Sequence, residues 1–265
     1  MFRLDSRLLN QRVNVVVVGV GGSGSHVAAD LAVLHQGLMD LGHPAGLSVT
    51  LVDAEVVSGT NIGRARYFEA DVGMSKAEVL CHRINMSYGL DFEAIHGEVT
   101  DDCSIVRDAD VVFGCVDTRK SRRSIHEALT QKAYPSWRET IWIDLGNGAN
   151  DGQVVFGTAG KKHREGVRPP TVMDLYPEML DPAKDPVDDG PSCSRAESIA
   201  RQGLFVNKAA ALHAVNMLAT LMRTGKLDYS AAFFNVNTGK VATLDCKPEA
   251  WARFGYVDAE NPGEQ

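Results

Sequence analysis

From Val13 to Val18 the chain reads Val-Asn-Val-Val-Val-Val and stops at Gly19. Valines in five of six positions, without hydrophobic–polar alternation, predict a strand buried on both faces, as in a parallel sheet. Val27, Leu31, Leu34 and Leu38 follow at spacings of three and four, which predicts a helix over 25–41 with one face on that sheet. Residues 47–53 read as a second strand, and 58–73 as an aperiodic loop of a length that usually carries function. Ser75 suits the cap of a helix through Ile84. Further strands are expected at 92–99, 110–115 and 140–145, with a helix over 118–130. Strands alternating with helices imply right-handed crossovers and a mostly parallel α/β sheet flanked by helices.

Beyond Gly152 the pattern changes. Residues 153–157 read as a strand, and the stretch 158–193 holds six of the ten prolines, which predicts a long surface excursion. Ile199, Leu204, Val206, Leu212, Val215, Leu218 and Leu221 then mark an apolar helix over 196–223, continuous or broken at Gly203. Segments 231–236 and 240–244 flank Asn237-Thr238-Gly239 and predict a C-terminal β-hairpin. From Lys247 onward a peripheral tail is expected. With no repeat or linker, the simplest organisation is one domain over 1–265: a core at 13–157, a crossover excursion at 158–195, and helices, hairpin and tail at 196–265.

Composition narrows the class. With 265 residues, 44% apolar and 23% charged, the chain has enough material for a substantial core and is neither disordered nor fibrous. The net charge of −7 gives no global positive field for nucleic acid or an anionic membrane. The longest apolar run, Val15–Val18, is far too short to span a bilayer. Cys81, Cys103, Cys115, Cys193 and Cys246 form no CxxC pair, so no zinc is expected. Their odd number, without a signal peptide, fits a reducing cytoplasm.

Chemistry concentrates where strands end. Gly19-Val20-Gly21-Gly22-Ser23-Gly24 leaves a strand and opens a helix, the setting in which side-chain-free backbone and a helix N-terminus receive a phosphate. Asp53 and Glu55 end the second strand, where a carboxylate accepts hydrogen bonds from ribose hydroxyls. Asn61, Arg64 and Arg66 follow, then Gly73-Met74-Ser75-Lys76. Asp117 stands after the fourth strand, with Arg119 and Arg122 beyond it. Ligands bind at that edge of an open parallel sheet, so these residues are expected to meet in one crevice. Cations beside a phosphate turn, with a strand-end carboxylate, are what ATP and Mg²⁺ require.

In order and spacing, GVGGSG, VDAEVVSGTNIGRAR, VGMSK and GCVDTRKSRR resemble the nucleotide site of ThiF, MoeB and HesA, the ubiquitin-activating-enzyme-like adenylyltransferases. The match runs from Val13 to Gly157, and PSCSRAES with QGLFVNKAAALHAV is most similar to ThiF-family proteins of PRTRC gene clusters. The resemblance implies a Rossmann-like fold and adenylylation, at the expense of MgATP, of the C-terminal glycine carboxylate of a small ubiquitin-like protein, in a homodimer. It implies Gly19, Gly21, Gly22 and Gly24 against the nucleotide, Glu55 with Asp53 on ribose, and Asn61 and Arg64 by the phosphates. Lys76 would neutralise a phosphate, Asp117 would bind Mg²⁺, and Cys193 would carry the activated protein. Two features depart from the family. The segment 1–12 lacks the usual arginine-bearing helix, for which Arg3, Arg7 or Arg12 would substitute, and residues 35–46 form an insertion.

Two other readings compete. An NAD(P)-dependent oxidoreductase would use the glycine turn and Asp53, but the separation of Gly24 from Asp53 exceeds the roughly 20 residues usual for that fingerprint, and Lys76, Arg64 and Asp117 would have no task. A non-catalytic nucleotide-binding scaffold of the same fold would account for the short N-terminus.

Overall fold

The computed structural model describes residues 1–130, 139–160, 167–181 and 203–257. Ten strands are numbered in chain order: β1 (Phe2–Arg3), β2 (Val13–Val18), β3 (Leu47–Asp53), β4 (Glu93–His96), β5 (Val111–Gly114), β6 (Glu139–Asn147), β7 (Asp151–Gly160), β8 (Lys226–Leu227), β9 (Tyr229–Asn235) and β10 (Lys240–Asp245). The α-helices are α1 (Gly22–Asp40), α2 (Lys76–Tyr88), α3 (Ser104–Arg107), α4 (Arg119–Thr130), α5 (Val172–Leu175), α6 (Val206–Thr224) and α7 (Pro248–Trp251).

Eight strands make one sheet in the order β10-β9-β7-β6-β5-β2-β3-β4. β4, β3, β2, β5 and β6 run parallel; β7, β9 and β10 join antiparallel. The valine run explains the centre. Five of the six residues of β2 are buried, and the strand pairs on both sides, Val15–Val18 facing Val111–Gly114 of β5 while Val13–Val18 face Leu47–Val52 of β3. From β2 the chain crosses to one side, and β5 lies on the other. The carboxyl ends of β2 and β5 therefore diverge over a crevice.

Local signals set the helix ends. The Ser75 hydroxyl accepts from the Glu78 N–H at 3.4 Å, and α2 stops where Gly89 turns left-handed at φ +65°, four residues beyond the expected end. α1 begins at Gly22, three residues earlier than its apolar spacing predicts, because the glycines of the turn form its first turn. The aperiodic loop holds two 3₁₀ turns, Gly59–Asn61 and Glu69–Asp71. The described part of the excursion is folded as well. β7 continues through Gly160, and Thr171 caps α5 with a reciprocal Asp174 contact at 2.8 Å.

Both chain ends differ from expectation. The tail is packed rather than peripheral through α7. Trp251 is fully buried and its indole N–H donates to Ser230 Oγ at 2.8 Å, because a buried indole needs both apolar contact and an acceptor. At the other end the Met1 ammonium donates to the Cys246 carbonyl at 2.6 Å, and Phe2 packs edge-on against Phe156. Arg7 pairs with buried Asp110 and Arg12 with Asp91, each at 2.7 Å. Asp110 and Asp91 precede β5 and β4, so both arginines occupy the edge of the sheet opposite the crevice. Arg3 lies in β1, paired with Lys226 of β8.

Candidate functional site

The glycine turn connects β2 to α1. At Gly19 φ is +81°, and a Cβ there would stand 2.8 Å from the Cys115 carbonyl oxygen. At Gly24 it would stand 1.9 Å from the Gly19 carbonyl oxygen, and at Gly22 2.7 Å from the Asn207 carboxamide. At Gly21 it would meet nothing within 4 Å. Gly24 is thus demanded by the turn's own backbone, Gly19 by the backbone after β5 and Gly22 by the Asn207 side chain of α6, and Gly21 is where the turn leaves room for a ligand. Gly24→Ala is expected to cost about 3 kcal/mol or more, as overpacking against rigid backbone does. Gly37→Ala, mid-helix with open space around it, should instead gain about 0.5–1 kcal/mol. Urea unfolding of the two variants checks the contrast.

Asp53, 9% exposed, is built into this turn. Its Oδ2 accepts the Val20 N–H at 2.7 Å and its Oδ1 the Glu55 N–H at 2.8 Å. Burial raises its pKa, and the two backbone donors hold the rise back. The Tyr67 hydroxyl donates to the Val20 carbonyl at 2.6 Å and to the Lys76 carbonyl at 3.2 Å, tying the turn to the start of α2. Asp53 therefore shapes the turn, while Glu55, with its side chain 74% exposed, is the strand-end carboxylate facing solvent.

Glu55 pairs with Lys76, whose side chain is 5% exposed. The Lys76 N–H also donates to the Glu55 carbonyl at 3.0 Å, so strand end and helix start are fastened twice. Asn61 is buried, and its Oδ1 accepts from the Ser58 N–H at 2.9 Å and the Ser58 hydroxyl at 3.2 Å. That carbonyl pins the loop rather than facing a ligand. Arg64, half-buried, donates Nε–H to the Thr60 carbonyl at 3.2 Å. Burial lowers its pKa, while Asp117 and then Glu55 push it up, which puts all three in one electrostatic neighbourhood. Asp117 itself is exposed, just beyond β5.

The structure therefore gathers Gly19–Gly24, Asp53, Glu55, Arg64, Lys76 and Asp117 at the carboxyl edge. Cys193 lies outside the described residues. Among those residues no group of three or more His, Cys, Asp or Glu side chains is arranged to hold a metal ion. Asp117, a single exposed carboxylate at the same edge as the glycine turn, does suit magnesium, which keeps several waters and takes its other ligands from phosphates. Burial pushes the thiols of Cys81, Cys115 and Cys246 up, away from the reactive thiolate.

Arg122 is engaged by Asp144, which faces Gly114 at the carboxyl end of the sheet, so it is a member of a buried ion pair rather than one of the expected site cations. Its Nε–H reaches both oxygens of Asp144 at 3.0 and 3.1 Å, and Nη2 donates to the Leu145 carbonyl at 3.0 Å. Burial raises the Asp144 carboxyl to about 6, with Arg122 opposing. One and a half helical turns beyond Asp117, Arg122 falls on the buried face of α4.

Sequence reasoning missed four polar groups around the turn. Ser23 Oγ donates to Asn207 Oδ1 at 3.0 Å and to Asn147 Oδ1 at 3.2 Å, joining α1, α6 and the end of β6. Half-buried His26, one turn further along α1, lies within hydrogen-bond reach of the Arg64 backbone. Burial, then Arg66, lowers its pKa to about 4. A polar Asn opening the apolar run Val206-Asn207-Lys208-Ala209-Ala210 was the one available signal.

A large apolar cavity, about 690 Å³, lies away from the crevice on the outer faces of α1 and α6. Val33, Leu41, Phe205 and Leu212 line it and are exposed. Among the described residues no helix is long and apolar enough to cross a membrane.

The profile of the ThiF family matches residues 4–251. PaaA, solved by crystallography, shares 16% identity at a TM-score of 0.62, over 89% of this chain and 73% of that one. The crystal structure of E. coli MccB with ATP shares 15% at 0.57, and that with AMPCPP and MccA 17% at 0.57, each over 88% of this chain and 64% of MccB. The chain thus spans less than two thirds of MccB, and at these identities the likeness is one of fold. No curated protein sequence matches the chain.

Proposed function

The chain belongs to the ThiF family, and on that premise we propose that it activates the C-terminal carboxylate of a small ubiquitin-like protein by ATP-dependent adenylylation. Family membership supports the general chemistry, ATP-dependent adenylation by an E1-like enzyme. The observation that carries the finer reading is the meeting of Arg64, Lys76, Glu55 and Asp117 beside a turn open at Gly21.

In the proposed reaction the substrate carboxylate attacks the α-phosphorus of ATP. A carboxylate–phosphorus bond forms, the bond to the bridging oxygen breaks, and pyrophosphate leaves with its electrons. The nucleophile is already an anion, so no general base is needed; the barrier is the approach of two anions. Gly21 and the first turn of α1 receive phosphate oxygens, and Glu55, on the shaped floor that Asp53 provides, accepts from ribose. Lys76 exchanges its Glu55 partner for a phosphate, and Arg64 adds a second cation. Asp117 would hold Mg²⁺, which when bound offsets charge on the triphosphate and the leaving group.

The partner calls of this reading are a small ubiquitin-like protein with a C-terminal glycine and a second copy of the chain. The exposed apolar groove between α1 and α6 suits the homodimer contact. Cys193 is proposed to take the activated protein, and residues 158–195 to form a crossover over the single domain. A cytoplasmic setting and kinship with PRTRC-cluster proteins complete the proposal. The MccB complex with AMPCPP and MccA favours a second reading, in which the activated carboxylate belongs to an MccA-like partner instead.

Calorimetric titration of the full chain with MgATP, NAD and NADP tests the reading. Saturable MgATP binding without dinucleotide binding is expected, followed by ATP–pyrophosphate exchange on adding the partner. Dinucleotide binding without ATP binding would replace adenylylation with the oxidoreductase reading.

A further inference from the structure

We propose that Asn207, contributed by α6 from outside the nucleotide-binding half, is a positioning residue for the phosphates of the bound nucleotide. This rests on the nucleotide-binding reading above. Asn207 is 1% exposed in the first turn of α6. Its carboxamide lies over Gly22, so close that a Cβ there would stand 2.7 Å from its carbon, oxygen and nitrogen alike. The Oδ1 accepts from Ser23 Oγ, which Asn147 shares, whereas the buried Nδ2 has no hydrogen-bond partner among the described residues. A buried amide N–H₂ without an acceptor is costly unless something else requires it.

Its location supplies the reason. The first intrahelical bond of α1 runs from the Ser25 N–H to the Gly21 carbonyl at 3.2 Å. The N–H groups before it point out of the helix end, where an anion is favoured. Asn207 braces this turn through Ser23 and adds a neutral donor dipole to the same end. It exerts this effect without placing a charge there. A carboxylate of the same shape would compete with the phosphate for the positive end of α1.

Loss of the donor separates a positioning role from packing. If Asn207 only fills space, the similarly sized Asn207→Leu should keep MgATP binding better than Asn207→Ala. On the present inference both weaken MgATP about threefold to tenfold, because both remove the carboxamide donor. Calorimetry of the full chain with MgATP, beside thermal melting of each variant, reads the difference. Ser23→Ala, which removes the brace and leaves the Asn207 Oδ1 without its donor, is the second variant should either Asn207 change prevent folding; it is expected to weaken MgATP about threefold and to lower the melting temperature. Asn207→Leu binding like the wild type, or Ser23→Ala binding like the wild type, would overturn the inference alone. A wild-type chain that does not bind MgATP would overturn the nucleotide reading, and the inference with it.

Discussion

Asp117→Ala is expected to lower ATP–pyrophosphate exchange by about 10²–10³-fold, the usual loss when a preorganised charge is removed from the transition state. Melting temperature should stay close to that of the wild type. Asp117 is exposed at the end of a strand, buries nothing, and its removal leaves Arg64 facing solvent and Glu55 rather than stranded in a core. Exchange measured at saturating MgATP, beside a melting curve, separates loss of chemistry from loss of fold. A variant that folds normally and exchanges at the wild-type rate would remove Asp117 from the site.

Lys76→Ala is expected to reduce turnover by about 10²-fold while weakening MgATP binding by about tenfold or less, since a charge aimed at the reacting phosphate acts mainly on the transition state. The geometry makes the test clean. Lys76 is buried but its partner Glu55 is largely exposed, so removing the cation leaves that carboxylate to water. Stability should fall through the lost packing of the lysine stem and the loss of a cation that favours the charged form of buried Asp53, which keeps its two backbone donors. Equal losses in turnover and in affinity would mean that Lys76 only binds ground-state ATP.

Elements with strong local signals were legible. The valine run, the glycine turn and the three-and-four spacing of α1 locate β2, the crevice and α1 to within three residues. The strand-end carboxylates and the capped start of α2 could be read for the same reason: each is written within a few consecutive residues. Roles were harder to read than places. Asp53 stands where a ribose-binding carboxylate belongs, yet its oxygens accept from Val20 and Glu55 and shape the turn. Asn61 and Arg122 likewise spend polar atoms on the loop and on Asp144. A one-dimensional pattern cannot distinguish a side chain facing a ligand from one rotated to a backbone partner.

By itself, the sequence determined an α/β order of elements, a parallel centre, and a glycine turn at the carboxyl edge with cations and carboxylates following it. Local propensity and periodicity act over a few residues and suffice for that much. Tertiary structure alone decided that Gly19 and Gly22 answer to Cys115 and Asn207 packed against the turn and that Trp251 draws the tail into the core. It alone set Arg7 and Arg12 on the far edge of the sheet, and Asn207, 184 residues along the chain from Ser23, against the start of α1. Those outcomes depend on contacts between distant segments, whose geometry exists only once the sheet has closed and each buried polar group has found, or failed to find, its partner.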